Sequence, residues 1–177
     1  MTGALEIVVR KAIQADIDRI AEIAHTLYPN NFNGEGGNSL QEAIEWTRTN
    51  MLSDGKISQY LVAEYDGNIV GYSYSRTTAN GAGVVSVVEF GAIPPEGVKG
   101  IGSKIIEGTQ RVWKDEHYAR FGKPLTSMLI FTGEAAKNLC ERQGFVLESK
   151  SEGLYRDATG TPIAEYIMRK DFLQPKL

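Results

Sequence analysis

Cysteine is almost absent: one residue, Cys140, in a chain of 177. No internal disulfide can form, so a stapled secreted scaffold is excluded, and the expectation is a reducing compartment, the cytoplasm. Long apolar runs are also missing. None approaches the roughly 18 residues that a spanning helix needs, so no membrane segment is expected. The first residues, MTGALEIVVRK, lack the basic start and long apolar stretch of a secretory leader. Histidine occurs twice, at His25 and His117, far apart from each other and from Cys140. That spacing holds no metal-ligand pattern, so no metal is expected. Nor does either charge sign dominate: 19 Lys and Arg stand against 22 Asp and Glu, a net −3. A general nucleic-acid binder would be basic, so that class loses weight.

Hydrophobic residues make up 42 % and charged residues 23 %, enough to close a core. At roughly 150 residues per domain the chain reads as one domain, 1–177. Leu5–Lys11 reads as a strand. Ile13, Ile17, Ile20, Ala24 and Leu27 form a helical stripe, with Asp16 and Asp18 in its first turn and Pro29 as its stop. After the polar loop Asn30–Asn38, Ser39 and Glu42 fit a capping box opening a second helix. YLVAEY (60–65) and IVGYSYSR (69–76) flank Asp66-Gly67-Asn68, a strong hairpin signal. A strand over Val84–Pro94, a helix from Gly100 to Tyr118 and a strand over Leu125–Phe131 follow. A short helix, Glu134–Gln143, ends at Gly144 as a C′ glycine. The last strands are Phe145–Lys150 and Ile163–Arg169. The order β-α-α-β-β-β-α-β-α-β-β predicts one α/β domain with a mixed sheet.

Glycine is plentiful, 19 residues, and clustered. The cluster Gly97-Val98-Lys99-Gly100-Ile101-Gly102-Ser103-Lys104 follows a β-branched strand and opens a long helix. Backbone N–H groups at a helix start lack intrahelical partners, and the dipole adds positive charge. Glycines let the backbone approach a phosphate, so strand, glycine turn and helix can cradle a pyrophosphate. Lys99 and Lys104 could add charge at the rim. A P-loop fits poorly, because Gly102 is followed by Ser103-Lys104 in reversed order. The dinucleotide fingerprint also fits poorly in spacing and place. The bland alternative is a turn whose glycines only pack helix against strand.

The segment resembles the acyl-CoA pyrophosphate motif of the GCN5-related N-acetyltransferases, Gln/Arg-x-x-Gly-x-Gly/Ala. The likeness runs through nearly the whole chain: Arg10-Lys11-Ala12 ending the first strand, the hairpin VAEYDGNIVGYSYSR, Glu141-Arg142-Gln143-Gly144-Phe145, and Ala164–Lys170. It implies a mostly antiparallel mixed sheet flanked by helices, and acetyl-CoA as cosubstrate. The implied partner is a primary amine, either a small molecule or an exposed amino group. Homodimers are common among similar proteins. Cosubstrate contacts are implied at Ala92, Ile93 and Val98 through Lys104. Gly97 departs from the motif, where Gln or Arg is usual.

Acetyl transfer needs a base for the amine, and Glu89, among apolar neighbours in VVSVVEFGAIP, is the best candidate. The bland reading is a surface Glu paired with a Lys or Arg. The resemblance places an oxyanion donor at a bulge within Phe90-Gly91-Ala92-Ile93, splaying this strand from LTSMLIF so that the pantetheine arm can pair along the open edge. A proton donor to the leaving thiolate falls at Cys140, where the family often has Tyr; a small core hydrophobe is the alternative role. The usual Asn falls on Gly133. His25, Tyr28 and Tyr155, with Asp157, fall where similar proteins line the acceptor site; the alternative for the first two is a helix-end His and a core Tyr. A CoA-binding sensor with little turnover, or a plain interaction domain, remains open beside the enzyme.

Overall fold

The computed structural model describes residues 6–28, 37–52, 58–80, 83–156 and 161–172. The elements run β1 (Val8–Lys11), a 3-10 turn (Gln14–Asp16), α1 (Ile17–Leu27), α2 (Leu40–Leu52), β2 (Ser58–Tyr65), β3 (Asn68–Asn80) and β4 (Gly83–Ala92). Then come α3 (Ile101–Phe121), β5 (Leu125–Thr132), α4 (Glu134–Arg142), β6 (Val146–Arg156) and β7 (Pro162–Asp171). Apart from the 3-10 turn, this is the expected order. Seven strands form one sheet in the order β1-β2-β3-β4-β5-β7-β6. Only β4 and β5 run parallel.

Local chemistry sets the joints. Asp66 (φ 51°) and Gly67 (φ 72°) are both left-handed. That is the geometry of a two-residue hairpin turn matched to strand twist. At the start of α2, Ser39 Oγ accepts the Glu42 N–H at 3.2 Å, while the Glu42 carboxylate accepts the Asn38 N–H, not that of Ser39, at 2.8 Å. Gly144 (φ 81°) closes α4 as expected. The expected stop at Pro29 and most of the Asn30–Asn38 loop lie outside the described residues.

The helices cover both faces. Ile20, Ile23 and Ala24 of α1 pack on Tyr60, Val62, Tyr72 and Tyr74. On the other face Ile101, Ile105, Ile106 and Trp113 of α3, with Cys140 of α4, pack on Val84, Val88, Met128, Ile130 and Met168. Some buried polar atoms in this second layer are paired, while the Thr77 and Ser86 hydroxyls have no partner among the described residues. Trp113 Nε1 donates to Ser75 Oγ at 2.8 Å, and the Ser73 and Thr109 hydroxyls bond at 2.8 Å.

Asp18 sits in the first turn of α1 as expected, whereas Asp16 ends the 3-10 turn and is the N-cap of α1. The Asp16 carboxylate accepts Arg10 Nη1 at 2.6 Å, Arg10 Nη2 at 3.1 Å and the Ile13 N–H at 2.8 Å. The Arg10 guanidinium outweighs burial and holds the Asp16 carboxyl below the ordinary carboxylate range. A carboxyl depressed on folding stabilises above its unfolded pKa of about 4, and the gain fades as pH falls through the lower folded value. Asp16→Asn therefore lowers stability at pH 7 by about 2 kcal/mol, a fall in Tm of about 4–8 °C. Thermal melts should show that deficit shrinking below about pH 4. Equal Tm at pH 7 would remove this role.

Candidate functional site

The site begins where β4 loses a neighbour. Its antiparallel ladder with β3 runs unbroken to Gly71↔Ala92, and the Ile93 N–H continues it to Val70 O at 2.8 Å. On the other side, pairing with β5 stops at Val88↔Ile130. β5 continues to Thr132, paired only with β7. From Glu89 onward the parallel strands diverge. Alternation in an antiparallel ladder turns every second residue's backbone groups away from the partner. Ile93 faces β3, so Phe90 and Ala92 direct their N–H and C=O groups into the gap.

The expected bulge at 90–93 is absent. Tyr72↔Gly91 and Gly71↔Ala92 remain in register. The irregularity in β4–β5 pairing lies between Val84 and Val85 at the far end. Divergence alone opens the gap. Gly91 instead admits α1: a Cβ there would stand 2.7 Å from Leu27 Cδ1 and 3.0 Å from Tyr72 Cε1. Ile93 spends its amide on Val70, so that N–H is not available to the gap.

The glycine turn joins the end of this gap to α3. Gly97 (φ 77°) and Gly100 (φ 88°) are left-handed, and a Cβ at either would meet nothing within 4 Å. Gly100 is the α3 N-cap and supplies no side-chain cap. The first helical bond runs from Lys104 N–H to Gly100 O at 3.0 Å. The N–H groups of Ile101, Gly102 and Ser103 therefore have no partner within the helix. Gly102 does different work, since a Cβ there would lie 2.6 Å from Leu139 Cδ2. Its absence lets α4 close on α3. Ile101 is 2 % exposed, so its side chain belongs to the core and only its amide remains available. Ala92 and Val98 pack beside that core, and Ser103 is half-buried. Lys99 and Lys104 are exposed, and Lys104 borders a groove between α3 and β1 with Glu107 and Arg111.

On the α1 side, Glu89 stands opposite Tyr74 and is half-buried. Among the described residues its carboxylate makes no hydrogen bond or ion pair with a Lys or Arg. The Tyr28 hydroxyl donates to Phe90 O at 2.8 Å, which brings the end of α1 to the mouth of the gap. His25, half-buried, lies one turn earlier. Tyr155 falls in β6 opposite Ile163, with its side chain outside the described residues; Asp157 lies outside them altogether.

The proton-donor expectation for Cys140 is not supported. The residue is 0 % exposed in the α3–α4 core, and burial pushes its thiol up to about 11. The inner face of α4 needs a small apolar group there, and the thiol fills it. One bond unforeseen in the sequence pins the start of α4: the Tyr166 hydroxyl donates to the Glu134 carboxylate, which raises the pKa of the phenol. Its partners are 32 residues apart, so no local pattern announces it. Among the described residues no group of three or more His, Cys, Asp and Glu could hold a metal, and no helix is long and apolar enough to cross a membrane.

No family model matches the sequence, and no curated protein matches it. Solved structures do. An acetyltransferase of the GNAT family from Streptococcus pneumoniae superposes with TM-score 0.66 at 19 % identity, covering 94 % of this chain and 100 % of that one. A GNAT superfamily phosphinothricin acetyltransferase from Sinorhizobium meliloti, in complex with acetyl-CoA, gives TM-score 0.71 at 18 % identity over 96 % and 93 % of the two chains. A ribosomal-protein-alanine N-acetyltransferase from Brucella melitensis gives 0.67 at 18 % identity over 93 % and 99 %. The fold is that of the GCN5-related N-acetyltransferases.

Proposed function

We propose that the protein transfers an acetyl group from acetyl-CoA to a primary amine by direct attack within a ternary complex. One observation carries this reading: the gap after Val88↔Ile130, edged by the Phe90 and Ala92 backbone, adjoins the uncapped start of α3 at Gly100. A pantetheine arm, which carries amides, suits that strand edge as an added strand would. A diphosphate suits the Ile101–Ser103 amides and the open space at Gly97 and Gly100. Acetyl-CoA would supply the activated acyl group. The remaining work belongs to the chain. Phe90 N–H points into the gap as a donor to a carbonyl oxygen. Glu89 takes the proton from the amine. Tyr28 and His25 border the acceptor entrance. The leaving thiolate takes its proton from water, because Cys140 is sealed.

That missing donor also favours a second reading, a CoA-binding sensor with little turnover. Turnover above about 1 per second on any amine excludes it.

The first test is thermal stability with acetyl-CoA, desulfo-CoA and ADP. At 100 times Kd, a ligand of the folded state adds about 2.7 kcal/mol. Tm should rise by about 5–10 °C with the first two and little with ADP. No rise with any of them would make the glycine turn a packing device and end the transferase reading.

A further inference from the structure

Beside Glu89 the α1 face of the sheet carries a second charge with no described partner. Arg76 stands opposite Val87, two register positions from the Tyr74↔Glu89 pair, so Arg76 and Glu89 are diagonal neighbours on one face. Arg76 is exposed and, among the described residues, makes no hydrogen bond or ion pair. Diagonal positions stand about 7 Å apart at Cβ, close enough for these two side chains to pair. They do not. Arg169, on the same face beyond Leu129, is by contrast engaged by Asp171 at 2.7 Å and Glu148 at 3.4 Å.

Between these charges and the sheet edge the surface is apolar. Val87 pairs with Leu129, and Phe131 with Ile167, all on the Glu89 face and all half-buried. Among the described residues the packing of α1 and α2 falls on β2, β3 and β4, and neither helix packs on β5 or β7 to the extent it does on those strands. An anion site, a cation site and an apolar floor thus lie together at the mouth of the gap.

We infer that the acceptor is an apolar α-amino acid, its ammonium held by Glu89, its carboxylate by Arg76 and its side chain on Val87, Leu129, Phe131 and Ile167. This rests on the transferase reading. In the reaction the thioester C–S bond breaks and an N–C amide bond forms. The ammonium gives one proton to Glu89 before attack and a second to water as the tetrahedral intermediate collapses, and the leaving thiolate takes one proton from water.

The test uses the whole chain with acetyl-CoA and three acceptors: L-leucine, L-leucinamide and isoamylamine, the decarboxylated analogue. Released thiol is measured, and acetyl-CoA affinity is measured separately by calorimetry. L-Leucine should exceed both neutral analogues in kcat/KM by about 10²-fold, because they leave Arg76 without its anion. Arg76→Gln should raise KM for L-leucine about 10- to 100-fold, with acetyl-CoA affinity and KM for leucinamide unchanged. Equal use of the three acceptors, or an unchanged KM in Arg76→Gln, would overturn the assignment. So would acetyl-CoA binding without turnover of L-leucine, though the transfer site would then stand. Failure to bind acetyl-CoA at all would overturn both readings.

Discussion

Gly100→Asp should abolish acetyl-CoA binding and leave the protein folded. Gly100 is left-handed at φ 88°, and a side chain there meets open space. Asp and Asn tolerate that conformation better than most residues. A carboxylate at the N-cap of α3 also suits the helix dipole, so stability is kept or slightly raised. The same carboxylate would occupy the amides proposed to meet the diphosphate and would repel it. Calorimetry should show acetyl-CoA affinity reduced by about 10²-fold or more, the loss of several charge-assisted hydrogen bonds. Gly100→Asn, of the same shape without the charge, should weaken binding by about tenfold or less. Wild-type affinity in Gly100→Asp would place the diphosphate elsewhere.

Glu89→Gln is the second large effect. The carboxylate is half-buried and makes no described hydrogen bond or ion pair, so the isosteric amide should not disturb the fold. It cannot accept the amine's proton. We expect kcat to fall by about 10²- to 10⁴-fold and the acidic limb of the pH–rate profile to flatten. Acetyl-CoA affinity should not change, which separates this variant from Gly100→Asp. A loss below about threefold would assign proton removal to another group or to water.

The two variants draw on different kinds of legibility. Gly100 is readable in the sequence, because left-handed backbone at a helix start is a local demand that glycine meets cheaply. Glu89 is readable as a residue type in an apolar strand. Whether it pairs among the described residues is not, because any such partner would come from a strand or helix remote in sequence. The placement of Arg76 is hidden from the sequence for the same reason. Period-2 alternation places it on a face with Tyr74, but only the register of β3 with β4 sets it diagonal to Glu89. Cys140 misled in the opposite direction. Its position matched a motif, while its burial came from α4 closing on β5 and β7 around it.

The sequence alone determined the eleven principal elements and their order, the hairpin at Asp66-Gly67, and the turns at Gly100 and Gly144. Each follows from the periodicity or conformational freedom of one short segment. Tertiary structure decided the rest. The strand order β5-β7-β6 departs from chain order, and β7 gives β5 a partner past the point where β4 leaves it. That choice opens the gap, directs Phe90 and Ala92 into it, and seats Tyr28 at its mouth. Which backbone edge stays unpaired depends on how strands far apart in the chain share their hydrogen bonds and bury their faces together, and no single segment encodes that balance.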